Sequence, residues 1–171
     1  IQYGTSLVFP PVTMGSHVSA VPNHQLGRVT PLSTRGACAM SGNLGYELDI
    51  TKMSDEELER VRTQVSIYKS IRPIVQFGEF HRLKSRFESD EDASEFITPD
   101  GSAVVAMSFQ ILNHPAQCPA TLYFTHLDPN ADYRDEATGN IWGGDELMNA
   151  GIPLPRASSD FSSQMWVFTR V

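Results

Sequence analysis

The sequence predicts an α+β protein in which a βα segment is followed by an all-β segment. In the first part, a strongly capped amphipathic helix follows a short apolar strand at residues 45–50. In the second part, apolar residues recur at every second position from Ala103 to Ile111, which is the period of a β-strand. Because the pattern changes near residues 72–80, we expect two domains, one over residues 1–75 and one over residues 76–171.

Two βα units are expected before residue 75. In the first, a short strand from His17 to Val21 precedes a helix that Thr30 and Pro31 would begin and Gly42 would end. In the second, the segment from Gly45 to Ile50 has the length and apolar content of a buried strand. Strand and helix therefore alternate twice.

The helix of the second unit has the clearest signals. Ser54 and Glu57 have the spacing of a capping box, and the first turn is acidic, as the helix dipole favours. Apolar residues then recur at helical spacing, at Leu58, Val61, Val65 and Tyr68. Because Pro73 has no N–H and restricts the residue before it, we expect the helix to end between Ser70 and Arg72.

Further strands are predicted after residue 100. They cover residues 121–127, 133–135, 140–142 and 164–171, and Ala137–Gly139 would form the turn between the middle two. Short strands separated by Gly, Pro, Asn and Asp are typical of an antiparallel sandwich or barrel. The residues alone leave both open.

Composition excludes some classes of function. The formal charge is −7, with 13 Lys and Arg against 20 Asp and Glu, so there is no basic surface for nucleic acid. No apolar run reaches the roughly 18 to 20 residues that cross a bilayer. Cys38 and Cys118 match no metal or redox spacing, which favours free thiols and a cytoplasmic protein.

Five segments share a resemblance to one known family: Pro10–Arg28, Gly42–Ile50, Arg72–Phe80, Tyr133–Asp135 and Gly143–Gly151. They resemble bacterial glycoside hydrolase family 36, the α-galactosidases. The resemblance implies that the chain contains the last βα units of a (β/α)8 barrel followed by an antiparallel β-sandwich. A complete barrel takes about 250 residues, so most of it would lie upstream of Ile1. No cofactor or metal is implied.

The resemblance also implies a reaction, the hydrolysis of terminal α-galactosides of the melibiose and raffinose type. Retaining glycosidases need two carboxyl groups about 5 Å apart. The family carries them in a Lys-Trp-Asp motif and a Ser-Asp-x-x-Asp motif, and neither motif occurs in this chain. We therefore expect the chain alone to be inactive, the substrate to bind the full-length enzyme, and that enzyme to be a homo-oligomer.

A barrel context suggests where this chain would approach the substrate. Strand ends at the C-terminal rim carry the sites of such barrels, which makes four residues candidates for the rim: Met14, Gly15, His17 and Ser19. A histidine on a buried strand is also often a core residue with satisfied hydrogen bonds. No catalytic residue is assigned.

Other motifs have structural explanations. The acidic runs at residues 54–57 and 89–92 fit a helix cap and a charged loop. Residues 128–139 begin like a calcium loop but have Tyr133 and Gly139 where a glycine and a glutamate are required. Trp142 and Trp166 fit core packing better than sugar stacking.

The alternative function is a non-catalytic carbohydrate-binding or oligomerisation module.

Overall fold

The computed structural model describes residues 1–118 and 120–171, and the chain divides into two compact units, Ile1–Phe77 and Gly78–Val171. Both helices and strands occur, and most strand pairs are antiparallel. Within the described residues no helix is long and apolar enough to cross a membrane.

The first unit is built on a βαβ crossover. Strands β1 (Gly15–Ser19) and β2 (Asn43–Glu47) pair in parallel, with helix α2 (Leu32–Met40) between them in the chain. Helix α1 (Gln2–Ser6) precedes the crossover, and helix α3 (Asp55–Phe77) follows it. Two 3₁₀ turns, Pro11–Thr13 and Ile50–Lys52, complete the unit. Both strands begin two residues earlier than the sequence predicted.

One face of the β1–β2 sheet is covered by helices. Val18, fully buried, clusters with Leu32 and Ala39 of α2. The rest of this cluster comes from β2, from the residues after it and from α3, namely Leu44, Tyr46, Leu48, Met53 and Val61. Ser16, on the same face as Val18, is 1% exposed. Gly15, His17 and Ser19 of β1 face the other side, because side chains alternate along a strand.

Helix α3 begins where the sequence predicted and ends later. The capping box is present, since Ser54 N donates to Glu57 Oε2 at 2.9 Å and Glu57 N donates to Ser54 Oγ at 3.2 Å. The predicted end at 70–72 is wrong, because the helix continues through Pro73 to Phe77.

Contacts on both sides of Pro73 explain this continuation. Ile71 and Val75 are 1% and 2% exposed, so burial favours helical geometry before and after the proline. Tyr68 also donates to the Gly42 carbonyl and Gln76 to Asn43 Oδ1, both at 2.8 Å. Together these contacts outweigh the missing backbone hydrogen bond.

The second unit contains a six-stranded antiparallel sheet. Its strands are β3 (Glu79–Lys84), β4 (Glu91–Ile97), β5 (Ala103–Gln110), β7 (Asp132–Asp135), β8 (Ile141–Gly143) and β10 (Ser162–Arg170). Their order across the sheet is β3-β4-β5-β10-β7-β8, so the last strand of the chain lies in the middle. β5, β7, β8 and β10 lie within two residues of their predicted positions.

A second layer packs on this sheet. It consists of helix α4 (Gly144–Asn149) and a two-stranded ribbon of β6 (Thr121–Leu122) and β9 (Ile152–Pro153). Leu122, Phe124 and Leu147 share one apolar cluster with Val104 and Phe168 of the sheet. The predicted strand over 121–127 is mostly wrong, because the observed strand covers only Thr121–Leu122. Phe124 and Leu127 are buried side chains of the irregular segment that follows. Trp142 and Trp166 pack against this cluster.

The acidic runs have the structural roles expected of them, with one correction. Residues 54–57 cap α3. Residues 89–92 are only partly a loop, because β4 begins at Glu91. There Glu91 forms an ion pair with Lys84 of β3, and Asp90 Oδ2 lies 2.6 Å from His114 Nε2. Within the described residues no group of three or more His, Cys, Asp and Glu side chains could hold a metal ion.

Candidate functional site

The β1–β2 sheet has a polar face opposite its helix-covered face. Parallel pairing aligns Gly15 with Asn43, His17 with Gly45, and Ser19 with Glu47. Because aligned residues share a face, these six positions form one surface, which we call the polar face. None of the six is a large apolar residue, whereas Val18, Leu44 and Tyr46 lie on the opposite side.

His17 lies at the centre of the polar face and rests between two glycines. A Cβ atom on Gly45 would lie 2.5 Å from His17 Cδ2, and a Cβ atom on Gly15 would lie 3.5 Å from Cε1. The imidazole therefore occupies space that a side chain at residue 45 would need. Its Nδ1 is 4.0 Å from Glu47 Oε2, and the two side chains are 51% and 75% exposed.

The structure brings three of the four predicted rim residues onto this face. Gly15 is at the amino end of β1, His17 is in the middle and Ser19 is at the carboxyl end. Met14 precedes the strand and is 7% exposed, and its carbonyl accepts a 2.8 Å hydrogen bond from Asn43 N. Met14 thus fixes the start of the parallel pair and is not on the polar face.

The loop after the carboxyl end of β1 is held in one shape by its own hydrogen bonds. Asn23 Oδ1 accepts from the backbone N–H groups of Gln25 and Leu26 at 3.1 and 3.0 Å. Gly27 has φ +64, and its N–H donates to the Asn23 carbonyl at 2.7 Å. Arg35 of α2 donates to the carbonyls of Ser19 and Thr30, which joins the two ends of the loop.

Sequence reasoning did not identify the β2 half of the polar face. Asn43, Gly45 and Glu47 become neighbours of β1 only through the parallel register. A signal was present, since Gly-x-His-x-Ser and Asn-x-Gly-x-Glu both place small or polar residues at every second position of a strand. From the sequence, these positions could be assigned to one surface only after the strand of the first βα unit was aligned with the strand of the second.

A second concentration of ionisable groups lies in the second unit. Glu95 of β4 is fully buried, and Thr125 donates to its Oε1 through N at 3.2 Å and through Oγ1 at 2.5 Å. Burial raises the pKa of Glu95 to about 7, although these hydrogen bonds favour the charged form. His126 Nδ1 lies 2.7 Å from Thr125 Oγ1, which extends the chain of contacts to an exposed ring.

His81 adds a second imidazole to this cluster. Its ring stacks on His126 with centroids 3.8 Å apart, and it pairs with Glu95 in the β3–β4 register. Burial and the His126 ring lower the pKa of His81. Its Nε2 is buried without a hydrogen bond, 3.6 Å from Glu79 Oε2. The cluster joins β3 and β4 to the segment after β6.

Comparison with known families covers both units. The family model described as Melibiase matches residues 1–78, and the model of the glycosyl hydrolase family 36 C-terminal domain matches residues 91–168. The α-galactosidase AgaA of Geobacillus stearothermophilus is 53% identical over 166 residues, which are 97% of this chain. The chain belongs to glycoside hydrolase family 36.

Solved structures of family 36 enzymes have the same fold over this region. The crystal structure of AgaA matches with a TM-score of 0.95 at 52% identity and covers 99% of this chain. The α-galactosidase from Lactobacillus brevis matches with a TM-score of 0.94 at 43% identity, also over 99% of the chain. An AgaA variant that matches equally well was crystallised in complex with raffinose.

The family 36 chain spans only part of the length of the relatives it matches. It covers 23% of AgaA and 23% of an α-galactosidase of Lactobacillus acidophilus, to which it is 44% identical over 171 residues. It covers 24% of the AgaA chain in the crystal structure. The similarity therefore concerns one quarter of a longer enzyme.

Proposed function

We propose that this chain is the C-terminal portion of a retaining α-galactosidase that hydrolyses terminal α-galactosides such as melibiose and raffinose. The observation that carries this proposal is the 53% identity to AgaA over 97% of the chain, with a TM-score of 0.95 to its structure. The reaction would be a double displacement through a galactosyl-enzyme intermediate, with one carboxyl group as nucleophile and one as acid/base.

In this proposal the first unit supplies the last βα units of a (β/α)8 barrel and the second unit is the C-terminal β-sandwich. The parallel β1–β2 pair with helices on one face supports the first assignment, because barrel strands are parallel and their helices form the outer ring. The ribbon and α4 packed on an antiparallel sheet support the second. The polar face would then point into the barrel.

The proposed roles of individual residues follow from this orientation. Gly15, His17 and Ser19 would form part of the wall that faces the substrate, and Met14 would fix the start of the parallel strand pair. Glu47 is the only carboxylate on the polar face, so the face does not contain the pair that a retaining mechanism requires. We therefore propose that the chain alone does not hydrolyse glycosides.

We also propose a cytoplasmic location and a homo-oligomeric full-length enzyme. Cys38 and Cys118 are not in a disulfide, and Cys118 is exposed, which suits a reducing compartment. Large apolar side chains of the second unit are exposed, Phe87 and Ile141 among them, and contact with other copies would remove them from water.

Turnover of α-galactosides tests the function. The full-length protein should release galactose from melibiose, raffinose and a chromogenic α-galactoside, with the α-anomer forming first by proton NMR. The 171-residue chain should release none. Initial formation of the β-anomer, or no hydrolysis by the full-length protein, would contradict the proposal.

Calorimetric titration of the isolated chain with galactose and melibiose tests the alternative. Saturable binding without hydrolysis would favour a carbohydrate-binding module. Self-association of the chain in sedimentation, without sugar binding, would favour an oligomerisation module.

A further inference from the structure

The composition of the polar face differs from that of a barrel interior that serves only packing. Interior positions of (β/α)8 barrels are mostly filled by bulky branched side chains in layers. The polar face consists of two glycines, a serine, an asparagine, a histidine and a glutamate, and it contains no branched apolar residue. Two neighbouring strands thus leave space and hydrogen-bonding groups where a packed barrel would have Val, Ile or Leu.

Gly45 is required by the position of His17. Glycine weakens a strand interior and is retained where another group approaches the backbone closely. Here that group is the imidazole of His17, whose Cδ2 and Nε2 would lie 2.5 and 3.1 Å from a Cβ atom on residue 45. The Cδ2 edge of the ring therefore points at residue 45, and any larger residue at position 45 would displace the ring.

Glu47 is the charged group next to His17 on the same face. Its Oε2 lies 4.0 Å from His17 Nδ1, two residues further towards the carboxyl end of the parallel strands. A carboxylate near one ring nitrogen favours the tautomer with the proton on that nitrogen. With the proton on Nδ1, Nε2 is a hydrogen-bond acceptor, and a sugar hydroxyl is a matching donor.

We propose that Glu47 and Gly45 are positioning residues that hold His17 as a hydroxyl-binding group of the substrate-facing wall. Gly45 leaves the room for the ring, Glu47 selects its orientation and tautomer, and His17 Nε2 accepts a hydroxyl of the α-galactoside. This inference rests on the proposed function, because it places the polar face inside the barrel of an α-galactosidase.

A double-mutant cycle in the full-length enzyme tests the proposal. Glu47→Gln and His17→Ala should each lower kcat/KM by about tenfold, the size expected for one hydrogen bond to the transition state. Because Glu47 acts through His17, the double variant should be no slower than His17→Ala. Glu47→Asp keeps the carboxylate and should retain more activity than Glu47→Gln.

The steric part of the proposal has its own readout. Gly45→Ala should lower kcat/KM and the melting temperature in the wild-type background, and should change neither in His17→Ala, where no ring is displaced. Gly4→Ala is the matched control, because a Cβ atom there would meet nothing within 4 Å. Glu59→Gln on the exposed side of α3 is the control for loss of a charge.

The outcomes separate the two proposals. Additive losses in the cycle, or unchanged turnover in Glu47→Gln, would overturn the positioning roles while the wild-type enzyme still hydrolyses α-galactosides. Absence of hydrolysis by the wild-type enzyme would overturn the proposed function and this inference with it.

Discussion

At the scale of single residues, Glu95 is the clearest departure from ordinary behaviour. A fully buried carboxylate is costly unless hydrogen bonds compensate for lost water. Thr125 supplies two of them, and the pKa still rises from 4.5 to about 7. The folded protein therefore holds a proton on Glu95 at pH values where the unfolded chain has released it.

This difference predicts how stability depends on pH. Because the folded-state pKa is raised, the contribution of Glu95 to the free energy of unfolding is fully present below pH 4.5 and is lost as the pH rises through about 7. The loss is about 3 kcal/mol. In urea unfolding at pH 5 and pH 8, Glu95→Gln should therefore lose less stability with rising pH than the wild type.

The matched control is Glu88→Gln, which changes an exposed glutamate in the same unit. Its stability should follow the wild-type pH dependence. Parallel pH profiles for Glu95→Gln and the wild type would show that Glu95 does not titrate between the two pH values.

The environments of Glu95 and His17 could not be predicted from the sequence, and for the same reason. His17 stood out as a histidine on a strand, but its neighbours Gly45 and Glu47 come from a different βα unit. Glu95 lies in a segment with three carboxylates within five residues, a pattern typical of exposed chain, and only Thr125 makes its burial tolerable. Such partners depend on tertiary contacts.

At the scale of elements, helices α2 and α3 meet through a glycine and a glutamine. Gly36 of α2 is buried, and a Cβ atom on it would lie 2.1 Å from Gln64 Nε2 of α3. Gln64 Nε2 donates to the Leu32 carbonyl at 2.9 Å, and its Oε1 accepts from Tyr46 at 2.8 Å. One side chain thus links both helices and β2.

This contact predicts the sign of a helix substitution. Alanine stabilises an exposed helix position by about 0.5 to 1 kcal/mol relative to glycine. At Gly36 it should instead destabilise the protein by about 1 to 3 kcal/mol, because Gln64 must leave its hydrogen bonds. Urea unfolding measures the change.

Gly4→Ala in α1, where the added methyl meets open space, is the control and should be neutral or stabilising. A stabilised Gly36→Ala variant would mean that Gln64 can move aside without cost.

The elements that the sequence identified are those with local signals. The capping box of α3 requires only Ser54 and Glu57, and the alternation of β5 requires only its own residues. The end of α3 was missed because Ile71 and Val75 are held by packing, which a rule about Pro73 does not include. Strand β4 was missed because its first residues, Glu91 and Asp92, look like part of a charged loop.

At the scale of the whole molecule, the two units differ in how complete their cores are. Within the described residues, an apolar cluster of the second unit lies between its six-stranded sheet and the layer of α4, β6 and β9. The first unit has two parallel strands covered on one face. Parallel sheets are stable mainly when both faces are covered, and two-stranded sheets are marginal alone.

We therefore predict different behaviour for the separated units. Residues 78–171 should unfold cooperatively in urea and show dispersed amide resonances, whereas residues 1–77 should show neither. Circular dichroism and proton–nitrogen correlation spectra of the two fragments measure this. A cooperative transition in residues 1–77 would show that the polar face needs no covering layer.

The position of β10 has a consequence for biosynthesis. β10 pairs with β5 on one side and β7 on the other, although it follows both of them in the chain. While the ribosome is still making residues 162–170, the sheet can exist only as two separate pieces, β3-β4-β5 and β7-β8. Each piece then presents an unpaired edge to other nascent chains, so the second unit closes only after its last strand has left the exit tunnel.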